Sequence, residues 1–161
     1  MDRLYHDQEL VQFYDHDNVW GADDRFCLSL AEGRARILDL GCGTGRLATG
    51  LALAGHRDVT GVDPARSMLD VASAKAGGDL VSWIEADARA VRLGKRFDLI
   101  VMTGHAFQCY LTDADRAAGL ATIAAHLEED GVFVFDSRNP VAREWEEWVR
   151  ELSQETRQHP R

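Results

Sequence analysis

Between residues 36 and 136, short apolar segments alternate with longer segments whose apolar residues recur at helical spacing. A short apolar run bounded by glycine, proline or aspartate is typical of a buried strand, whereas apolar positions three and four residues apart indicate a helix. The pattern predicts strands over 37–40, 59–62, 80–85, 97–102 and 132–135. It predicts intervening helices over 46–54, from Pro64 to Gly77, and over 113–127.

Three of the predicted helices carry a well-defined apolar face, which an amphipathic helix buries. The first has Leu47, Leu51 and Ala54 on one face and ends at Gly55, a residue that favours a helix C-terminus. The stripe of the 113–127 helix consists of Ala117, Leu120, Ala121, Ala124 and Leu127. A last helix, starting near Val141, aligns Trp145, Trp148, Val149 and Leu152.

The first 35 residues predict two short helices joined by a loop. Apolar residues at helical spacing are Leu10, Phe13 and Tyr14 in the first, and Phe26, Cys27, Leu30 and Ala31 in the second. Asp23 or Asp24 can cap the second helix. These helices either cover one face of a sheet, or they bring Tyr14 and Trp20 over the glycine-rich turn as a lid.

Five alternations of strand and helix predict an α/β fold of the three-layer αβα type. The sheet would be Rossmann-like, doubly wound and mainly parallel, with helices on both faces. Residues 36–152 would form this domain, residues 1–35 a helical cap or lid, and residues 153–161 a polar, disordered tail. Ligands of such sheets bind at the carboxyl ends of the strands, near the point where the strand order reverses.

Length and composition limit the kinds of domain, partner and cellular location that this chain is expected to have. A chain of 161 residues is expected to form one domain, and its net charge of −9 argues against nucleic-acid and anionic-membrane partners. No apolar run is long enough to span a bilayer. The three cysteines are widely spaced and form no metal-binding motif, so neither a disulfide nor a metal site is expected. Cytoplasmic localisation is the expectation.

The segment most suggestive of ligand binding joins the first predicted strand to the first helix. Gly41, Gly43 and Gly45 allow a sharp turn and the close approach of a ligand. A dinucleotide prefers Gly-x-Gly-x-x-Gly with its pyrophosphate at the helix N-terminus. Here the third glycine comes one position early, Arg46 occupies its usual place, and Asp39 would repel a pyrophosphate. S-adenosylmethionine carries an ammonium and a sulfonium, both favoured by a nearby carboxylate.

Aspartates end several of the other predicted strands. Asp63 lies 24 residues beyond Asp39, where a carboxylate can accept hydrogen bonds from ribose hydroxyls. This feature supports a nucleoside without distinguishing the two cofactors. Asp87 could accept from the adenine amine with the Ala88 N–H beside the ring, or it could simply cap the following helix. Cys42 fits as a small turn residue and has no basic neighbour that would activate it as a nucleophile.

These segments together resemble the class I S-adenosylmethionine-dependent methyltransferases. The matching segments, in order, are Ile37-Leu38-Asp39-Leu40-Gly41-Cys42-Gly43-Thr44-Gly45, residues 61–69, 85–88, 97–102 and 127–136. The resemblance implies S-adenosyl-L-methionine as the cofactor. The cofactor-binding residues that it and the strand-end positions suggest are Asp39, Gly41, Cys42, Gly43, Gly45, Asp63, Pro64, Met68, Asp87, Ala88, Thr103 and Tyr14, with Thr44 in the wall. Met68 would pack near the adenine.

The acceptor is less well defined by the sequence. His105, which follows the fourth predicted strand just beyond Met102 and Thr103, is the best-placed general base, although a wall residue or a backbone contact to the cofactor is the favoured alternative. Methyltransferases acting on nucleic-acid amines place Asn/Asp-Pro-Pro-aromatic there, whereas this chain has Thr103-Gly104-His105-Ala106. A small-molecule acceptor is therefore expected. The alternatives are a non-catalytic module that binds S-adenosylmethionine and an NAD-dependent oxidoreductase.

The chain departs from this family after the fifth strand. The resembled fold has seven strands, the last two beside strand five, yet no strand pattern follows Leu152. The chain is therefore expected to be a fragment of a longer protein or a shortened variant. Because residues 132–135 would form an apolar sheet edge, we expect that edge to be shielded or to mediate a homodimer.

Overall fold

The computed structural model describes residues 3–154. Three helices come first: α1 (Arg3–His6), α2 (Gln8–Asp17) and α3 (Ala22–Ala31). The elements that follow are β1 (Arg36–Leu40), α4 (Arg46–Leu53), β2 (Asp58–Asp63), α5 (Arg66–Ala74), β3 (Ser82–Glu85), β4 (Phe97–Met102), α6 (Asp113–His126) and β5 (Leu127–Phe135), with a loop rather than a helix between β3 and β4. A short helix α7 (Arg150–Ser153) follows. Most of the predicted 153–161 tail lies outside the described residues.

The five strands form one parallel sheet in the order β3-β2-β1-β4-β5. The chain runs outward from β1 through β2 to β3, then returns to place β4 on the other side of β1. The strand order therefore reverses between β1 and β4, where a doubly wound sheet opens a crevice for ligands. In the register, Asp39 of β1 lies opposite Gly61 of β2 and Val101 of β4. The predicted fold class is confirmed.

Each face of the sheet is covered by helices through its own apolar cluster. On one face, Cys27 and Ala31 of α3 pack with Leu51 of α4 against Ile37. The cluster on the other face consists of Leu38, Leu40, Val62, Ala88, Val91, Phe97, Ile100, Met102, Tyr110 and Ile123. A strand with apolar side chains on both faces is buried on both, as a central parallel strand requires.

The buried face of α6 differs from its predicted stripe. Leu120 is exposed, whereas Gly119, Thr122, Ile123 and His126 are buried. The reason is that α6 packs against the loop before β4 through hydrogen bonds: the Thr122 hydroxyl donates to the Arg89 carbonyl (3.1 Å), and Nε2 of His126 accepts from the Leu93 amide (2.9 Å). A hydropathy pattern does not predict burial that depends on hydrogen-bond partners of this kind.

The predicted C-terminal helix from Val141 is also wrong. Residues 140–142 and 144–146 form separate 3₁₀ turns, because Arg143 adopts a left-handed conformation with φ of 49° between them. Trp145 and Trp148 are about half exposed, and Trp148 stacks on the Arg138 guanidinium, 4.4 Å from the ring centroid.

Strand β5 lies at one edge of the sheet, as the sequence predicted. Its partner within residues 3–154 is β4 alone. Phe135 at its end is 46% exposed. Dimerisation through this edge stays a prediction. Over the described part of the chain, no helix is long and apolar enough to cross a membrane.

Candidate functional site

The residues that the sequence assigned to a site meet at the carboxyl edge of the sheet. The turn after β1 lies against the end of β2, because the amides of Gly41 and Cys42 both donate to the Val62 carbonyl, at 2.7 and 3.0 Å. The loop after β4 lies on the other side, with Ala106 against Gly41. The glycine turn therefore occupies the switch point of the sheet.

Two of the three glycines are required by the packing of the protein itself. A Cβ on Gly41 would come within 2.8 Å of the Ala106 methyl group. A Cβ on Gly45 would meet the Trp83 ring at 2.4 Å and the Ala72 methyl group at 2.8 Å. Both glycines also have positive φ, 81° and 71°, which side chains rarely adopt.

Gly43 is different, because its missing side chain leaves space. The nearest atom to an added Cβ is Cε1 of Tyr14, at 3.9 Å, which is an ordinary contact distance. Gly43 is therefore the glycine of this turn whose exposed backbone a ligand can approach, with the Tyr14 ring as a neighbouring wall.

Asp63 ties the end of β2 to the glycine turn. Its Oδ2 accepts from the Gly43 amide at 2.9 Å, and its Oδ1 accepts from the Ala65 amide at 2.8 Å. The residue is 8% exposed, and burial raises the pKa of its carboxyl while the two amide hydrogen bonds lower it. Each carboxylate oxygen retains a second lone pair, so the group can still accept hydrogen bonds from a ligand.

Asp39 lies within the sheet beside Asp63. It is 2% exposed, and burial, followed by the charge of Asp63, raises the pKa of its carboxyl from 3.8 to about 7. A backbone hydrogen bond from Ala48 acts in the opposite direction. Two neighbouring buried carboxyls disfavour each other's ionisation, and a cation placed near them relieves that cost.

Cys42 and Met68 have structural environments. Burial and the charges of Asp39 and Asp63 raise the pKa of the Cys42 thiol, so it stays protonated, in agreement with its interpretation as a turn residue. Met68 is 1% exposed and packs with Val11 and Ala65 under α2. The predicted position of Met68 near an adenine ring stays a prediction. Pro64, before α5, is partly buried.

Asp87 is engaged by Arg89 at the start of a hydrogen-bonded turn, so the helix that it was expected to cap is not formed there, and its contact with an adenine amine stays a prediction. Its Oδ1 accepts from the Arg89 amide at 2.8 Å, and its Oδ2 pairs with the guanidinium at 2.6 Å. The Arg89 hydrogen bonds lower the pKa of the Asp87 carboxyl. Arg89 also pairs with Asp115 of α6. Ala88, the residue after Asp87, is buried.

His105 is held by Asp136 at the ends of β4 and β5. The Asp136 carboxylate accepts from the His105 amide at 3.0 and 3.2 Å. Nδ1 of His105 lies 3.0 Å from Oδ2 of Asp136, close but outside hydrogen-bond alignment. His105 itself has a φ of 63° and a side chain 40% exposed, so its ring stands at the mouth of the crevice, next to the partly buried Thr103.

The N-terminal helices contact the turn through Tyr14 and Asp15. The Thr44 hydroxyl donates to Oδ1 of Asp15 at 2.6 Å, while Lys75 at the end of α5 pairs with Oδ2 at 2.6 Å. Trp20, the other predicted lid residue, packs instead over Gly50 of α4. The structure therefore places Tyr14 next to the glycine turn and Trp20 away from it, and a lid role for this segment stays a prediction.

Sequence reasoning missed Trp83, Asp15 and the Asp24–Arg46 pair. Trp83 fills the space left by Gly45 and Gly61, and its indole N–H donates to the Gly78 carbonyl at 2.8 Å. The position of Trp83 in a short strand, two residues before the acidic strand end at Glu85, was a signal in the sequence. Its glycine partners are far away in the chain, so the contact itself could not be predicted.

A second cleft, of ≈ 560 Å³, opens at the opposite edge of the sheet. Its charged side chains largely satisfy one another: Arg36 pairs with Asp98 and Glu128, and Arg34 donates to the Asp98 carbonyl. This edge holds the amino ends of the strands, where doubly wound sheets do not bind their ligands. Among residues 3–154, no group of histidine, cysteine and acidic side chains is arranged to hold a metal ion.

The site is thus a glycine turn between two buried acids at the switch point of a doubly wound sheet, which is where this class of α/β proteins binds its ligands. Residues 37–131 match the model of a family described as a methyltransferase domain, and the chain belongs to this family. The family predicted from the sequence is thereby confirmed.

Among curated proteins, the chain is 36% identical over 109 residues to a cypemycin N-terminal methyltransferase from a Streptomyces species, covering 68% of this chain and 44% of that protein. Among solved structures, it resembles the CcbJ methyltransferase of Streptomyces caelestis with a TM-score of 0.74 and 29% identity, over 87% of this chain and 60% of the other. It also resembles the glycopeptide N-methyltransferase MtfA in complex with S-adenosyl-L-methionine, with a TM-score of 0.62 and 27% identity, over 71% and 52% of the two chains. The chain thus spans about half the length of these relatives.

Proposed function

We propose that this chain binds S-adenosyl-L-methionine and belongs to an enzyme that transfers its methyl group to a small-molecule acceptor. The observation that carries the proposal is the open backbone at Gly43, which donates a hydrogen bond to Asp63, whose charge acts on the buried Asp39. Membership of the methyltransferase family and the cofactor complex of MtfA support it.

The residues present fit this cofactor. Gly43 offers room beside its backbone, Asp63 has lone pairs free for ribose hydroxyls, and Asp39 contributes negative charge for the ammonium and sulfonium. When bound, the sulfonium supplies an activated methyl group, so the protein contributes mainly orientation and the exclusion of water. Tyr14 and the helix that carries it would help to exclude water.

The same acids disfavour a dinucleotide. A pyrophosphate beside Asp39 and Asp63 would meet two carboxyls whose ionisation burial already penalises. Its negative charge would raise that penalty further. The oxidoreductase alternative is therefore the weaker one.

Ligand-dependent stability tests the cofactor. A ligand that binds only the folded chain must raise its melting temperature. We expect S-adenosylmethionine and S-adenosylhomocysteine each to stabilise the chain in a thermal-shift assay, and NAD at the same concentration to have no effect. Stabilisation by NAD alone would overturn the proposal.

His105 is our candidate for the general base. With Nδ1 turned to Asp136, Nε2 is left to take a proton from an acceptor hydroxyl as the methyl group arrives, or from an acceptor ammonium before the neutral amine attacks. We expect His105→Gln to lower turnover by roughly a hundredfold or more at saturating cofactor, because general-base catalysis contributes about 10² to 10⁴. His56→Gln, before β2 at the opposite edge, is the matched control. Turnover that is unchanged in His105→Gln would remove it as a base and leave it as a wall residue.

The acceptor is best identified with the chain carrying its natural C-terminal continuation, if it has one. We expect methyl transfer from labelled S-adenosylmethionine to a small molecule in an acceptor screen. Cofactor binding without transfer to any acceptor would instead support the non-catalytic alternative. Sedimentation velocity on the same samples tests the predicted dimer at β5.

A further inference from the structure

Arg46 introduces a positive charge directly beside the acidic turn, since it follows Gly45 at the start of α4. A free guanidinium there would oppose the binding of a cationic ligand. The structure turns it away: the Arg46 side chain donates to Asp24 at 2.5 Å and to the Val19 carbonyl, and Asp23 lies 3.9 Å away. Its side chain is only 23% exposed.

Asp24 is an unusual partner, because its side chain is completely buried. Oδ2 accepts from Arg46 and also from the Gly21 amide at 2.7 Å. Oδ1 is buried without a hydrogen-bond partner. Burying a carboxylate with hydrogen bonds to only one of its two oxygens costs free energy. Removing either member of a buried ion pair leaves an uncompensated charge. Asp24 also serves α3 locally, because it is the third residue of the helix and completes a capping box with the amide of the N-cap residue Gly21.

The charges around the turn therefore divide into two sets. Asp39 and Asp63 lie beside the turn, where the charge of His6 also acts on Asp63, while Arg46 is neutralised by Asp24. Both members of the pair lie within electrostatic range of the site, since Arg46 lowers and Asp24 raises the pKa of the Asp39 carboxyl. Cancelling Arg46 leaves the turn with the negative charge of its own acids.

We propose that Asp24 is a specificity-determining positioning residue: by pairing with Arg46 it keeps the turn acidic and so selects a sulfonium over a neutral thioether or an anionic nucleotide. The inference rests on the proposed function. In this proposal a residue of α3 contributes to ligand specificity through its charge, without contacting the ligand.

The test compares two ligands that differ in one charge. S-adenosylmethionine and S-adenosylhomocysteine share every group except the methyl group and the sulfonium charge, so the ratio of their dissociation constants reports the potential at the sulfur. Isothermal titration of wild type, Asp24→Asn, Arg46→Gln and the double variant gives this ratio. Asp58→Asn is the control, because it leaves Lys95 unpaired in the same way at the opposite edge of the sheet.

We expect Asp24→Asn to shift the ratio against S-adenosylmethionine by roughly fourfold to fifteenfold, which is the effect of a unit charge for an assumed separation of about 10 Å and an effective dielectric constant of about 20 to 40. The double variant removes both charges and should return the ratio to within about twofold of wild type. Arg46→Gln should leave it unchanged or favour S-adenosylmethionine. The control should not alter it.

Each outcome has one meaning. If wild type binds neither ligand, the proposed function fails. If wild type binds both, but Asp24→Asn weakens both equally, Asp24 is merely structural and the inference is overturned. Should Asp24→Asn not fold, Arg46→Gln still decides, because a loss of preference for S-adenosylmethionine in that variant contradicts the proposal.

Discussion

Alanine substitutions at Gly45 and Gly43 should separate the folding role of the glycine turn from its ligand role. Both residues have positive φ, 71° and 54°, so both variants carry left-handed strain of about 1–2 kcal/mol. At Gly45 the new methyl group would also meet Trp83 at 2.4 Å and Ala72 at 2.8 Å. Overpacking of this kind costs about 1–3 kcal/mol more.

Gly94 provides the reference for strain alone, because its φ is 67° and nothing lies within 4 Å of an added Cβ. The reduced entropy of the unfolded chain offsets the strain by about 0.4–1 kcal/mol in every variant. We therefore expect a net loss in unfolding free energy of roughly 1 kcal/mol for Gly94→Ala and Gly43→Ala, and about 2–4 kcal/mol for Gly45→Ala.

Urea unfolding followed by circular dichroism measures these differences. With m-values of about 1–3 kcal/mol/M, the midpoint of Gly45→Ala should fall below that of Gly94→Ala by roughly 1 M at unchanged slope. Titration with S-adenosylmethionine gives the second readout: Gly43→Ala should lose affinity at least tenfold, because its methyl group enters the open space, whereas Gly94→Ala should bind normally.

Two results refute this reasoning. Equal stabilities for Gly45→Ala and Gly94→Ala, within about 0.5 kcal/mol, would mean that the Trp83 ring moves aside at little cost. Normal cofactor affinity in Gly43→Ala would mean that the ligand does not approach the backbone there.

The remaining predictions concern charges and hydrogen bonds around the site. Because the folded-state pKa of Asp39 is raised from 3.8 to about 7, its contribution to stability is full below about pH 4 and falls as the pH rises to 7. Urea unfolding should therefore show wild type losing up to about 4 kcal/mol of unfolding free energy relative to Asp39→Asn between these pH values. A difference between the two proteins that does not change with pH would contradict a raised pKa for Asp39. Asp15→Ala should release α2 from Thr44, so limited proteolysis within residues 8–17 should quicken several-fold while Glu9→Ala leaves it unchanged; equal rates would show that apolar packing alone holds the helix. His126→Leu should cost about 1–3 kcal/mol in thermal unfolding by leaving the Leu93 amide unpaired, and a cost below about 0.5 kcal/mol would indicate that water replaces the imidazole.

Local pattern predicted most of the sheet, because strands buried on both faces leave a plain apolar signature. The 97–102 strand has the predicted bounds, β1, β2 and β3 differ from prediction by no more than about two residues at either end, and β5 begins at Leu127 rather than at residue 132. The predictions failed where a face is defined by partners rather than by hydropathy. Thr122 and His126 are buried on α6 because they hydrogen-bond to the preceding loop, and Leu120 is left outside.

The same division applies to the site. Strand ends bring Asp39, Asp63 and His105 to one edge of the sheet, which a parallel topology requires of any residues placed there. The covering of Met68 by α2 and the engagement of Asp87 by Arg89 depend on side chains that converge only after folding.

By itself, the sequence determined the alternation of strands and helices, the glycine turn and the acids that follow the strands, because period and spacing are local properties of a chain. Only the tertiary structure decided which glycine is open, which acid is neutralised, and how the N-terminal helices close on the turn. Those outcomes rest on contacts such as Gly45 with Trp83, Asp24 with Arg46, and Asp15 with Thr44. Their partners lie 22 to 38 positions apart in the chain (46 − 24 and 83 − 45), and no local pattern links residues at that separation.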